Sequence, residues 1–341
     1  MNTKTTNTKT TKTNKKYKMK KAENGMYRIV AVRDFGNIRK GTIGGLIQRE
    51  HNLSQYGDCW VDYNASVRDD ARVEMSALIK DSAVVSGSAV VSENAIVIGS
   101  ASVLGVAVIK EYAVVSGNAS VRGFAIVGGT ATISGSAIVR ESATVRGNAV
   151  ITGNSNVIGN AYITGNVVVR DSATVDGDCR ISGNVIIEDH ATVRGQVLIE
   201  GASVIALETG SDGVLISGNA FVEGNARVYG HASIQGDAIV HGDSIVRGNA
   251  IVEGHAELKQ NALIEGNAHV SRSTHWKKVI MVQGSRCTAT LDGEYINLGW
   301  IWNTPEYWLN NPEQIGEVEG YSNREIEEYR SIILFMRNTY M

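Results

Sequence analysis

Aliphatic residues return at every sixth position through most of the chain, and a small residue stands two places before each of them. From Gly57 to Ala206 the sequence divides into 25 consecutive six-residue units, and Asp212 to Ser271 supplies ten more in the pattern G-N-A-x-V-x. The fifth position is Val or Ile in 34 of the 35 units and Leu258 in the other; the third is Ala in 26, otherwise Ser, Val or Cys. Positions three and five lie two apart, so on a strand they share one face, while the residue between them points the opposite way. A strand so short must turn at the end of each unit. Gly and Asn at positions one and two suit that turn, because both tolerate positive φ. Three flat sides and three turns predict a triangular coil, stacked on the next through parallel ladders. With Leu207–Ser211 taken as one shortened side, the repeat makes 36 sides, or twelve coils. Such a stack is about 57 Å tall at ~4.8 Å per coil.

The flanks depart from the repeat and set the domain boundaries. Residues 1–25 are a Thr/Lys/Asn run that reads as a disordered, solubilising tail. Residues 26–56 form an N-terminal cap, in which Tyr27–Phe35 alternates like a strand and a Gly-rich connection leads into the first coil. Residues 57–271 are the β-helix. Residues 272–341 form a C-terminal α+β cap holding four of the five Trp and both Pro. Within it Lys277–Val282 reads as a strand, and CTATL-DG-EYINL as a hairpin turning at Asp292-Gly293. Thr304 with Pro305 starts one helix. Ser322-Asn323-Arg324-Glu325 is a capping box for a second, with Ile326, Tyr329, Ile333 and Met336 on one face. Caps are needed because a β-helix has two open edges that would template further strands.

The repeat resembles that of the hexapeptide-repeat superfamily across about 215 residues. That resemblance implies an all-β fold, a single-stranded left-handed parallel β-helix. The handedness comes from the resemblance alone, since parallel crossover connections are otherwise right-handed. The lead-in segment DFGNIRKGTIGGLIQREHNLSQYGDCWVDYNA resembles that of YdcK-type proteins of enteric bacteria and prophages. That group is named transferase by fold analogy only, and it brings no catalytic residues to carry over. The C-terminal stretch resembles, less closely, the end of some phage-encoded hexapeptide-repeat proteins, which implies a cap that doubles as a partner-binding module.

Charge and composition narrow the function classes. The net charge of −2 hides a tail with eight Lys against Glu23; the remainder holds 25 basic and 34 acidic residues, an acidic body. Wrapping nucleic acid takes a large basic surface, so nucleic acid is disfavoured as a partner. The tail has no apolar stretch of signal-peptide type, and no run of ~18 apolar residues follows, so a cytoplasmic, non-membrane protein is expected. Cys59, Cys179 and Cys287 are odd in number and lack metal-ligand spacing. Cys59 and Cys179 fall at the inward third position more than six coils apart, too far to bridge. They read as core.

The outward fourth positions sort into three columns. The column of Trp60, Leu78, Ile96, Val114, Thr132, Val150, Val168, Ile186, Val204, Phe221, Ile239 and Glu257 is apolar in ten of twelve places. The column from Ser66 has four of eleven, and that from Arg72 seven of twelve. An apolar strip of that length exceeds what a soluble monomer exposes, so its ten apolar members are the expected oligomer interface, in a trimer or a dimer. A sixth-position column brings Arg122, Arg140 and Arg194 to one corner. Neighbouring guanidiniums repel unless an anion lies between them, which makes these three a candidate anion site. No Ser-His-Asp set, phosphate loop or carboxylate pair stands out, so no catalytic residue, metal site or cofactor is assigned. His190, His231, His241, His255 and His269 fall in different columns or on distant coils. The reading is a non-enzymatic oligomeric scaffold or binding protein, engaging a host or phage protein or a small anionic ligand. The alternative is a coenzyme A-dependent acyltransferase-like enzyme with an intersubunit cleft. It has against it the apparent lack of any inserted loop, because the one break in the repeat reads as the loss of a residue.

Overall fold

The computed structural model describes residues 15–201, 213–259, 262–266, 268–271, 280–292, 294–299, 301–317 and 320–340. Two-residue strands at positions four and five of each unit pair in parallel with the strand eighteen residues on, as in Trp60↔Leu78, Ser66↔Val84 and Arg72↔Val90. Three walls result. Wall 1 begins at Trp60, wall 2 at Ser66 and wall 3 at Arg72, and together they wind about twelve coils of a parallel β-helix. Ala at position three and Val or Ile at position five are fully buried along the whole bore. Where a polar residue replaces that Ala, it stays bonded within its own corner. Ser155 Oγ donates to Thr152 O at 2.7 Å and Ser244 Oγ to His241 O at 2.7 Å. The substitution therefore costs little, because no buried hydroxyl is left without a partner.

The turn uses one residue of positive φ, at position one, and not two. Gly fills it in most units, as at Gly147 (φ 68°), and Asp or Glu in seven others, among them Asp69, Glu111 and Asp189. The acids have a reason to be there. Position-one carbonyls accept from the coil below, as Gly105 O does from Ser88 N, whereas the position-one N–H lies outside that ladder. A carboxylate one coil below takes it: Gly87 N donates to Asp69 Oδ2 at 3.0 Å and Gly218 N to Asp189 Oδ2 at 3.0 Å.

The register changes once. Ile186 pairs with Leu215, Thr192 with Phe221 and Leu198 with Arg227, a step of 29 residues in place of 18. The break therefore adds eleven residues, 202–212, and removes none. The expected side Gly201–Ala206 is replaced in wall 1 by the strand Val214–Ile216. Residues 202–212, Val204 included, lie outside the described residues.

Each rung donates its N–H groups to the coil above, as Ser66 N does to Ala83 O at 3.0 Å, so the first coil presents bare carbonyls. The N-terminal cap meets them. Strand β1, Tyr17–Lys21, runs antiparallel to β2, Tyr27–Ala31, which pairs with β3, Ile43–Ile47, and β3 continues wall 2 through Leu46↔Ser66. Residues 17–21, expected to belong to the disordered tail, are thus a strand. Ahead of them Lys16 is fully buried, its Nζ donating to Cys59 O at 2.9 Å and Gly57 O at 3.2 Å and lying 5.1 Å over the Phe35 ring. Asn52 Nδ2 donates to Asp69 O at 3.0 Å and Ala71 O at 2.8 Å. Residues 1–14 lie outside the described residues.

At the far end four antiparallel strands, Ile280–Gln283, Thr288–Asp292, Tyr295–Leu298 and Ile301–Asn303, follow one another in sheet order. Helices α1 (Pro305–Asn310), α2 (Pro312–Glu317) and α3 (Asn323–Tyr340) complete the module. Its core joins Ile296, Leu298, Trp308, Tyr329, Ile333 and Met336. The capping box forms as expected, Ser322 N donating to Glu325 Oε2 at 2.7 Å and Glu325 N to Ser322 Oγ at 3.4 Å. The module seats on the last coil, with the Trp302 and His269 rings 6.3 Å apart.

Candidate binding faces

The corrected register reassigns the upper half of each outward column. Wall 1 carries Trp60, Leu78, Ile96, Val114, Thr132, Val150, Val168 and Ile186, and then Leu215, Ser233, Ile251 and His269. Phe221 and Ile239, expected on this face, stand on wall 2 above Thr192, followed by Glu257. Trp60 is not a surface residue either. The cap buries it, with Phe35 edge-on at 5.5 Å. From Leu78 to Ile186 the fourth-position residues are half-buried and form one column.

Around its middle, positions two, four and six of this wall carry no charge, although Glu93 and Glu111 stand at position one of two of these rungs. Positions two, four and six read Asn94, Ile96 and Ile98, then Tyr112, Val114 and Ser116, then Thr130, Thr132 and Ser134, then Asn148, Val150 and Thr152. One corner is closed by side chains bonding along the axis. Thr130 Oγ1 donates to Asn148 Oδ1 at 2.5 Å, Asn148 Nδ2 to Asn166 Oδ1 at 2.9 Å, and Asn166 Nδ2 to Asn184 Oδ1 at 2.8 Å. Each amide uses its donor on the rung above, so the corner is a stiff, neutral rail.

Of the three arginines of the expected anion site, the structure brings two together. Arg122 and Arg140 do occupy one corner of wall 2 on adjacent rungs. Arg140 pairs with Glu141 at 3.7 Å, and Arg194, three rungs higher, is held bidentate by Glu223 Oε2 at 2.9 and 2.7 Å while lying 4.6 Å over Phe221. Arg170 with Glu188 and Arg247 with Glu265 repeat that sixth-position arrangement. The partners sit one coil apart in sequence terms that include the break. That spacing of Arg and Glu was a readable signal for the true register, since Glu223 falls over Arg194 only if eleven residues are added.

The histidines are divided among separate carboxylates. His241 Nε2 lies 3.4 Å from Glu257, His255 Nδ1 3.3 Å from Asp237, and His269 Nε2 2.7 Å from Glu253. Cys59 and Cys179 line the bore, and burial pushes the Cys179 thiol up to about 11. A thiol held protonated in this way is a poor nucleophile.

A cleft of about 490 Å³ opens on wall 3, lined by Asp178, Arg180, Gln196, Leu198 and Arg227 among others. A smaller one, about 240 Å³, lies on wall 1 along Asn166, Val168, Asn184 and Val214. The smaller cleft borders the place where the chain rejoins the repeat at Gly213 and Val214, whereas the larger lies at the opposite edge of wall 3.

No protein-family model matches this chain, and no curated protein does. Among solved structures, UDP-N-acetylglucosamine O-acyltransferase (LpxA) from Moraxella catarrhalis is similar at 12% identity and a TM-score of 0.28, over 78% of this chain and 93% of that one. So slight a likeness carries no argument about activity. No helix among the described residues is long and apolar enough to cross a membrane.

Proposed function

We propose that the chain is a cytoplasmic, phage-derived β-helical scaffold of the YdcK type, without a reaction of its own. It mates with copies of itself through wall 1, as a trimer or dimer, and offers its C-terminal module to a host or phage protein. The observation that carries this reading is the apolar fourth-position column of wall 1. The column from Leu78 to Leu215 runs seven rungs, about 34 Å at ~4.8 Å each, and on its four middle rungs uncharged second- and sixth-position residues flank it. Interfaces between subunits are depleted of charge at their centres in this way, and a stable pair needs about 800 Å² per partner, more than the column alone supplies. Wall 2 has the same backbone and no such column. Light scattering at micromolar concentration tests the reading. An oligomer supports it, and a monomer at ten times that concentration sinks it.

One observation favours a second reading. The eleven residues added between wall 3 and wall 1 remove the argument that this helix has no inserted loop, and with it the chief objection to a coenzyme A-dependent acyltransferase-like enzyme. Calorimetry with acetyl-coenzyme A separates the two. Saturable heat would replace the scaffold by the enzyme, and silence is the result expected here.

A further inference from the structure

On wall 3 Arg180, Leu198 and Arg227 are direct neighbours on three successive rungs. The two arginines are therefore about 9.6 Å apart at their Cα atoms, within reach of one another's guanidiniums across the shared neighbour. Both are exposed and Leu198 between them is half-buried. Three other arginines of the helix are matched from within it. Arg170, Arg194 and Arg247 each have a Glu one rung above and fork onto it. Over Arg180 that place is taken by Leu198, and neither Arg180 nor Arg227 makes an ion pair among the described residues, although Glu200 lies on the same strand as Leu198. Two unmatched cations facing one apolar floor form a clamp for an external anion, since a fork of N–H donors matches a carboxylate or phosphate.

The second-position column beside the clamp runs Asp178, Gln196, Asn225, Asp243. It spans three rungs, about 14 Å, with a carboxylate at each end. Asp178 Oδ1 accepts from Asn160 Nδ2 at 2.8 Å and Asp243 Oδ1 from Asn225 Nδ2 at 2.8 Å, which leaves each a second oxygen. The cleft's volume of about 490 Å³ is that of a small-ligand site. Its lining holds no aromatic ring on which a base would stack, and the end carboxylates would repel a second phosphate.

We propose that this cleft binds an anionic saccharide. The acid group lies between Arg180 and Arg227 over Leu198, ring hydroxyls donate to Asp178 and Asp243, and the Gln196 amide meets the ring between them. The inference rests on the reading of the chain as a binding rod, and it does not depend on assembly through wall 1. The test is calorimetry of the full chain with digalacturonate, glucose 6-phosphate, maltose and inorganic phosphate. The variants are Arg180→Gln/Arg227→Gln and, as a charge control, Arg68→Gln/Arg146→Gln, with thermal melting to show that each is folded. The expected result is saturable binding of one acidic sugar, weakened at least tenfold in Arg180→Gln/Arg227→Gln and unchanged in the control. Maltose should be silent and inorganic phosphate at least tenfold weaker than the sugar. Digalacturonate against glucose 6-phosphate tells a sugar acid from a sugar phosphate. Silence from both acidic sugars overturns the proposal, as does equal loss in the control or phosphate binding as tightly as the sugar. Light scattering on the same sample keeps the two readings apart, because a monomer that binds the sugar sinks only the assembly.

Discussion

Wall 1 and wall 2 share one backbone, one bore and one ladder, and differ only in what faces outward. On the rung of Val114 and Val115, wall 1 shows an apolar residue flanked by Tyr112 and Ser116. One side further, on the rung of Ser120 and Val121, wall 2 shows a hydroxyl with Arg122 at its corner. Inward, Val115 and Val121 are equally buried. The repeat therefore specifies the fold with two positions in six and leaves the outward positions free to carry a different task on each wall. Assembly and ligand capture need not compete for the same residues.

The largest effect should ignore the difference between walls. Val115→Asp and Val121→Asp each place an unpaired carboxylate in a bore with no donor to meet it, at a cost above about 4 kcal/mol. Both variants should lose the cooperative melt by circular dichroism. If one of them folds normally, the walls do not share a bore. The next effect should divide the walls. Val114→Lys with Val150→Lys puts two charges on the apolar column and should convert the oligomer to monomer at unchanged melting temperature, whereas Ser120→Lys with Ile138→Lys on wall 2 should leave the mass as it was. Sedimentation of the two double variants decides it, and equal behaviour would remove wall 1 from the assembly. A smaller effect concerns the rail. Asn166→Ala cuts the amide ladder between Asn148 and Asn184 and should lower stability by about 1 kcal/mol, read as a shift in denaturant midpoint.

What was legible in the sequence follows the same division. Inward positions repeat because a narrow bore accepts few shapes, so Ala65 or Val67 announces its place without any partner being known. The capping box at Ser322 and the hairpin at Asp292 were legible because each is settled by residues within a few places of one another. The outward columns were legible only as far as the count of six holds. Gly201–Ala206 satisfies the six-residue pattern in every particular, yet wall 1 takes Val214–Ile216 at that level, and Phe221 and Ile239 moved to wall 2 with it. Local pattern cannot tell a wall from a look-alike beside a break. Long-range pairs can, and Arg194 under Glu223 is such a pair. Lys16 was misread for a related reason. Among eight lysines in a polar tail nothing local marks the one whose ammonium meets the carbonyl edge of the first coil.

That lysine supports the smallest prediction, and its sign can be worked out. Burial lowers the Lys16 pKa from its ordinary 10.5, against the opposing pull of Cys59 and Asp58 and with a further lowering by Arg33. Burial also raises Cys59 from 9.0 and Tyr17 from 10.0, the latter helped by Glu50. For Lys16 the unfolded chain binds the proton more tightly, so cap stability rises with pH from the lowered value up to 10.5. For Cys59 and Tyr17 the folded chain holds the proton that the unfolded chain gives up, so stability falls as pH rises above 9.0 and 10.0 respectively. Cap stability, followed by Trp fluorescence with Trp60 as the buried reporter, should climb towards pH 9, level where the two tendencies cancel, and decline above 10.5. Lys16→Met should abolish the climb and keep the decline, while Cys59→Ala should delay the decline and keep the climb. A profile that falls steadily from neutral pH in the unmodified chain would mean that Lys16 stays charged when buried, and that the ammonium is held by the first coil's carbonyls more strongly than burial opposes it.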